Sequence, residues 1–278
     1  MITRTQVVAA APVWVRGRLA GPIREAAIVH TGAHAVYVAA LDGRDKRCIG
    51  LLSRSSSVVP CGLRTTLPDL CDVAGKSGLL TSEDVAVIGE GLLRVGAVDV
   101  HIGRTLDLSV PQLDALATGS MADRLRQVLD GCLVAVRSEL LAESLELLKD
   151  ADASAVPMLL GRGSGLTPVG DDVLAGWLAT MNAAQMPSGA IAQSVAALSV
   201  EATTLLSATL LDRASAGDVL PEFRRLLLDL RAPDSSQHVD QLRNDVSALL
   251  TIGHTSGAGL LLGSLLAFDH LYRRSHRS

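Results

Sequence analysis

The chain has 278 residues, 48% of them hydrophobic and 19% charged, with a formal net charge of -4. That length favours two domains, each able to bury a core of its own. The acidic balance, the 2% aromatic content and arginines dispersed apart from Arg273, Arg274 and Arg277 argue against nucleic-acid binding, which needs a clustered basic face and stacking platforms.

A mean hydropathy of +0.34 raises the question of membrane spans. The most apolar windows, Ala190 to Leu211 and Gly257 to Phe268, are interrupted by Gln193, Ser194, Ser199, Glu201, Thr203, Thr204 and Ser264. Neither reaches the roughly 20 continuous apolar residues that a bilayer crossing needs. The apolar run near the amino terminus is broken by Pro12, Arg16 and Arg18, so no secretory signal is expected. Cys48, Cys61, Cys71 and Cys132 show neither paired metal-site spacing nor disulfide density and read as reduced thiols in a cytoplasmic protein.

Taken in chain order, residues 1–110 read as a β-rich domain, barrel-like or sandwich-like. Short β-branched runs occur at Val36 to Val38, Ile49 to Leu52, Val58-Val59 and Val85 to Ile88, punctuated by glycine and proline. The clearest is Val98-Asp99-Val100-His101-Ile102, where the apolar residues share one face and Asp99 and His101 the other. This pattern suits an antiparallel sheet, with Asp99 and His101 as a solvated pair. Ser53-Arg54-Ser55-Ser56-Ser57 is a polar loop.

From residue 111 to 278 the period becomes helical, which makes the fold class α+β. Leu125, Val128, Leu129, Leu133, Val136, Leu140 and Leu141 recur at three- and four-residue spacing, continued by Leu145, Leu147 and Leu148. Further helices are expected at Asp171 to Asn182, Ala190 to Leu211, Val219 to Leu230, Val239 to Leu250 and Gly257 to Tyr272, with breaks at Pro187-Ser188-Gly189 and Ala232-Pro233-Asp234. Trp14 and Trp177 read as core residues.

The helical domain carries two glycine-rich helix entrances. Gly161-Arg162-Gly163-Ser164-Gly165-Leu166-Thr167-Pro168-Val169-Gly170-Asp171-Asp172 leads directly into a helical pattern. Its glycines free the backbone to turn amides inward, and the helix start adds unpaired N–H groups and the positive end of its dipole. Ser164 and Thr167 offer hydroxyls and Arg162 a bidentate guanidinium. A carboxylate or phosphate is the matching ligand. Neither this loop nor Gly75-Lys76-Ser77 has nucleotide-loop spacing: Leu166 or Pro168 stands where a dinucleotide fingerprint needs glycine, and Leu70 where a P-loop does.

Asp171 and Asp172 have two readings, a helix cap or a carboxylate that binds a substrate amide or Mg²⁺ or moves a proton. The second entrance is Gly253-His254-Thr255-Ser256-Gly257, in the style of the first. The two are expected to converge on one anion; His254 taken alone reads as a structural hydrogen-bonding residue, and beside hydroxyls at a helix start as a general acid–base or oxyanion group. His30, His34, His238, His270 and His276 have no metal-ligand spacing.

Gly163-Ser164-Gly165-Leu166-Thr167-Pro168-Val169-Gly170-Asp171-Asp172-x-Leu174-x-Gly176, followed by Gly253-His254-Thr255-Ser256-Gly257, resembles the AllH-like family, long catalogued as a domain of unknown function and including the small subunit of oxamate carbamoyltransferase. The resemblance implies carbamoyl transfer between oxalurate and phosphate, giving oxamate and carbamoyl phosphate in allantoin breakdown, with larger partner subunits. It carries Gly163, Gly165, Thr167, Gly170, Asp171 and Asp172 into the first half of the site and Gly253, His254, Thr255, Ser256 and Gly257 into the second. The chain departs from the pattern at Val169 and at Ala258-Gly259.

The reading is therefore an enzyme subunit that binds a small carboxylate, phosphate or carbamoyl phosphate. Asp171, Asp172 and His254 are its catalytic candidates, and Arg162, Gly163, Ser164, Gly165, Thr167, Gly170, Thr255, Ser256 and Gly257 bind substrate. No resident metal cluster is expected, and Mg²⁺ is a candidate cofactor. Protein partner subunits or a homo-oligomer are expected, without nucleic acid or membrane. The alternative is a non-catalytic assembly subunit whose glycines serve helix packing and whose apolar helices dock onto larger partners.

Overall fold

A computed structural model describes residues 4–41, 46–74, 86–114, 117–129, 131–186, 188–232 and 236–276. The Gly75-Lys76-Ser77 turn and the breaks at Pro187 and Pro233-Asp234 lie outside the described residues. The chain divides into two compact units, Met1–Leu108 and Ser109–Ser278.

In the first unit eight strands close into a barrel: β1 (Thr5–Pro12), β2 (Arg24–Thr31), β3 (Ala35–Ala40), β4 (Cys48–Leu52), β5 (Gly62–Arg64), β6 (Ala86–Gly89), β7 (Leu92–Val95) and β8 (Val98–Leu106). Their order around the barrel is β1-β5-β4-β3-β2-β6-β7-β8, with β8 returning to β1. Alternate residues fill the interior, among them Val7, Ala9 and Ala11 of β1, Val36 and Val38 of β3, Ile49 and Leu51 of β4, and Val98 and Val100 of β8. A short helix, α1 (Val13–Leu19), adds Val15 and Leu19 to this core.

The sheet is mixed rather than antiparallel, because β1 pairs parallel with β8 and β4 parallel with β5. Closure puts the first and last strands side by side in the same direction, a relation that hydrophobic alternation does not encode. Val58-Val59 is not a strand: the Val59 carbonyl accepts the Gly62 N–H at 2.9 Å, which turns the chain, and β5 starts at Gly62. Strands β1, β2 and β7 had no clear signal in the sequence. Asp99 is not a solvated partner of His101. It is 6% exposed and is gripped by Arg94, whose Nε and Nη2 donate to Oδ1 and Oδ2 at 2.8 and 3.2 Å. That guanidinium, above all, holds the Asp99 carboxyl below its ordinary range.

The second unit is helical: α2 (Thr118–Leu129), α3 (Val134–Glu139), α4 (Ala142–Lys149), α5 (Ala155–Leu159), α6 (Val169–Ala183), α7 (Gly189–Ala202), α8 (Leu205–Ser215), α9 (Pro221–Leu230), α10 (Ser236–Leu250) and α11 (Ser256–Ser275). The periodic stretch from Leu125 to Leu148 is three helices, separated by a turn at Cys132 and by extended backbone at Leu140. The window Ala190 to Leu211 is two helices, broken where Thr203 adopts an extended conformation.

α6 is the central helix, buried at every position from Val169 to Met181, and its apolar residues lie on all sides as a fully enclosed helix requires. α11 packs along it at very short range. A Cβ added at Gly263 would lie 1.9 Å from the Val173 carbonyl oxygen, and one at Gly176 would lie 2.1 Å from that of Leu260. These glycines let the two backbones touch, which sets the helix starts at one end of the pair side by side. Trp177 is fully buried in this core. Among the described residues, no helix is long and apolar enough to cross a membrane.

Candidate anion-binding site

The first loop runs from the end of α5 to the start of α6. Gly161, Gly163 and Gly165 have φ of +69°, +113° and +92°, a region that side chains disfavour. Gly163 also packs against the α6 start, where a Cβ would meet the Val169 nitrogen at 2.8 Å. Arg162, Gly163, Ser164 and Gly165 are exposed and Thr167 is half-buried. The residue preceding α6 is Pro168, which supplies no side-chain cap, so neither aspartate caps the helix. The first turn is partly closed from outside, because the Gly170 N–H donates to the Arg162 carbonyl at 2.9 Å.

Asp171 is 1% exposed and its carboxylate is enclosed by donors. The Gly161 N–H donates to Oδ1 at 2.8 Å, and the hydroxyls of Ser207 (2.6 Å) and Thr203 donate to Oδ2. Burial raises its pKa, while these three bonds oppose the rise. An ion bound at this carboxylate would displace donors already in place, so Asp171 ties the glycine loop to the start of α8.

That third helix start is the part of the site the sequence did not reveal. Thr204 caps α8 by accepting the Ser207 N–H at 3.1 Å, and its hydroxyl also bonds the Leu166 carbonyl in the glycine loop. The signal was a Thr-Thr-x-x-Ser run, the residue pattern of an N-cap, hidden inside a continuous apolar helical window.

Asp172 faces away from α8, toward α11. It is 7% exposed, its polar neighbour is the Ser256 hydroxyl, and Oδ2 has no hydrogen-bond partner among the described residues. Burial drives its pKa well above the ordinary value, with Asp171 adding to the rise and Ser256 opposing it. Ser256 in turn shares a 2.9 Å hydroxyl contact with Thr167. The two entrances therefore meet through Thr167 and Ser256. Gly259 leaves room for this packing, since a Cβ there would lie 2.7 Å from the Asp172 Cβ.

The second loop has Gly253 at φ +60°, Thr255 at the N-cap position without a side-chain bond, and Gly257 buried where a Cβ would strike the Leu249 carbonyl at 1.8 Å. His254 is exposed, and among the described residues it makes no hydrogen bond or ion pair. It is beside the site in sequence but is not joined to either aspartate.

Burial raises the pKa of both carboxyls, opposed at Asp171 by its three donors and at Asp172 by Ser256. The starts of α6, α8 and α11 bring their positive dipole ends to this same cluster. Among the described residues, no group of three or more His, Cys, Asp or Glu side chains could hold a metal ion. Two cavities of the helical unit, about 650 and 230 Å³, lie elsewhere, the larger lined by Gln112, Asp114, Gln185 and Arg231 among others.

The architecture defines an α+β protein with an eight-stranded barrel and a helical unit in which glycine-rich helix entrances are packed together. The sequence profile of the family described as oxamate carbamoyltransferase subunit AllH matches residues 159–268, from the end of α5 into α11. The matched segment contains both glycine motifs. No curated protein and no solved structure matches the chain.

Proposed function

We propose that this chain is a subunit of a carbamoyltransferase-type enzyme and holds a small carboxylate or carbamoyl anion at the loop before α6. One observation carries the reading: the starts of α6, α8 and α11 are hydrogen-bonded into one cluster, inside the segment matched by a family described as an oxamate carbamoyltransferase subunit. Loop amides, Ser164, Thr167 and Thr255 bind the anion, Ser256 supports Thr167 through their shared hydroxyl contact, and Arg162 is placed to reach a carboxylate or phosphate edge. Asp171 anchors the cluster, Asp172 stands behind Ser256, and His254 moves the proton that transfer between oxalurate and phosphate requires. Larger partner subunits complete the enzyme.

Calorimetric titration of the full chain with oxamate and with inorganic phosphate tests this reading. Saturable binding of either, weakened by Thr167→Val, supports it; no binding by a folded chain overturns it.

A second reading, a non-catalytic assembly subunit, is favoured by the glycine contacts, which α6–α11 packing accounts for without a ligand. Exposed apolar residues such as Val134 (68%) and Leu141 (53%) offer it a docking surface. A chain that binds no anion yet co-purifies stably with partner proteins would select it.

A further inference from the structure

Behind the glycine loop, three oxygen-bearing side chains form a row from the interior to the mouth. Asp172 is buried on α6, Ser256 opens α11, and Thr167 ends the loop. Ser256 and Thr167 oxygens are 2.9 Å apart, and either can be the donor. Each hydroxyl has one proton, so the direction of the row is decided at its buried end.

Asp172 Oδ2 has no partner among the described residues, and the nearest α11 position, Gly259, has no side chain to supply one. An ionised carboxylate would leave half a charge buried without a donor, whereas a neutral acid leaves a carbonyl-like oxygen, at lower cost. The acid's proton then faces Ser256. Ser256 must turn its own O–H toward Thr167, and Thr167 must turn its O–H out of the row toward the loop mouth. Bonds aligned in this way polarise one another.

We propose that the row Asp172–Ser256–Thr167 sets the hydrogen-bonding polarity of the site: with Asp172 neutral, Thr167 donates outward to an anion, and with Asp172 ionised the row reverses and Thr167 presents lone pairs instead. This rests on the anion-binding reading and assigns Thr167 as a specificity-determining contact for acceptor-rich ligands, with Asp172 as a positioning residue. Asp171, next to it on α6, is the charged neighbour that acts on Asp172. From α11 the facing group is Ser256, while His254 and Arg162 stand exposed.

The test is titration of the full chain with oxamate, whose carboxylate stays ionised across the range, between pH 5.5 and 9. Wild-type affinity is expected to fall about tenfold or more as pH rises, the scale of one hydrogen bond to a charged group. Asp172→Asn, whose amide always offers Ser256 a donor, keeps the low-pH affinity and loses the pH dependence. Thr167→Val binds about tenfold more weakly at low pH with a flat profile, and Thr167→Ser restores the wild-type profile. A wild-type pH profile retained in Asp172→Asn or Thr167→Val overturns the polarity proposal alone. Absence of wild-type binding at every pH removes the anion-binding reading beneath it. If Asp172→Asn does not fold, the Thr167 pair decides the matter.

Discussion

The Ser207 hydroxyl donates to Asp171 Oδ2 at 2.6 Å, joining two helix starts 36 residues apart in sequence. With the Gly161 amide and the Thr203 hydroxyl on the same carboxylate, Asp171 is the point at which the glycine loop, α6 and α8 are held together.

Asp171→Ala is expected to leave three donors unsatisfied in a buried site and to lower unfolding free energy by about 3 kcal/mol or more. Urea denaturation checks this. A loss below about 1 kcal/mol would show that the loop and α8 are held by other contacts.

The glycines separate into two mechanical classes. Gly263→Ala would place a methyl 1.9 Å from the Val173 carbonyl, forcing α6 and α11 apart, and should cost about 3 kcal/mol or prevent folding. Gly165→Ala meets nothing within 4 Å and costs only the strain of φ +92°, about 1–2 kcal/mol. Thermal unfolding of the pair should rank them in that order.

Asp245 on α10 is 2% exposed. Burial first, and then the neighbouring Asp229 carboxyl, push it up to about 7, while Arg225 and Gln241 oppose the rise. A folded-state pKa raised above the ordinary 3.8 means that the folded chain holds this proton more tightly. The stability it contributes is complete below about 4 and is lost as pH rises through about 7. Asp245→Asn should flatten the decline in melting temperature between pH 5 and 8. An unchanged slope would place the titration elsewhere.

His254 is exposed and hydrogen-bonds nothing among the described residues, so His254→Ala should leave stability within about 0.5 kcal/mol of wild type. On the proposed reading, it should lower carbamoyl transfer when the chain is assembled with its partner subunits. Full activity in that variant would take His254 out of the reaction.

Local signals in the sequence carried far. The change from period two to period 3.6 near residue 110 separates a β-rich from a helical part, since burial of one face imposes the pattern directly on the residues. The run from Gly161 to Asp172 was legible as a helix entrance for the same reason, positive φ and helix starts each having their own residue preferences. Thr203, Thr204 and Ser207 were not legible, because an N-cap inside an apolar window looks like a helix that continues.

What the sequence by itself determined is the chemistry present: glycines, hydroxyls and two adjacent aspartates at helix starts. What only the tertiary structure decided is the division of labour between those aspartates. Successive residues on a helix point about 100° apart, so Asp171 turns toward the α8 hydroxyls and Asp172 toward Ser256 of α11. The environment on each side, donors for one and a nearly donor-free interior for the other, makes one carboxyl an anchor and leaves its neighbour a buried acid.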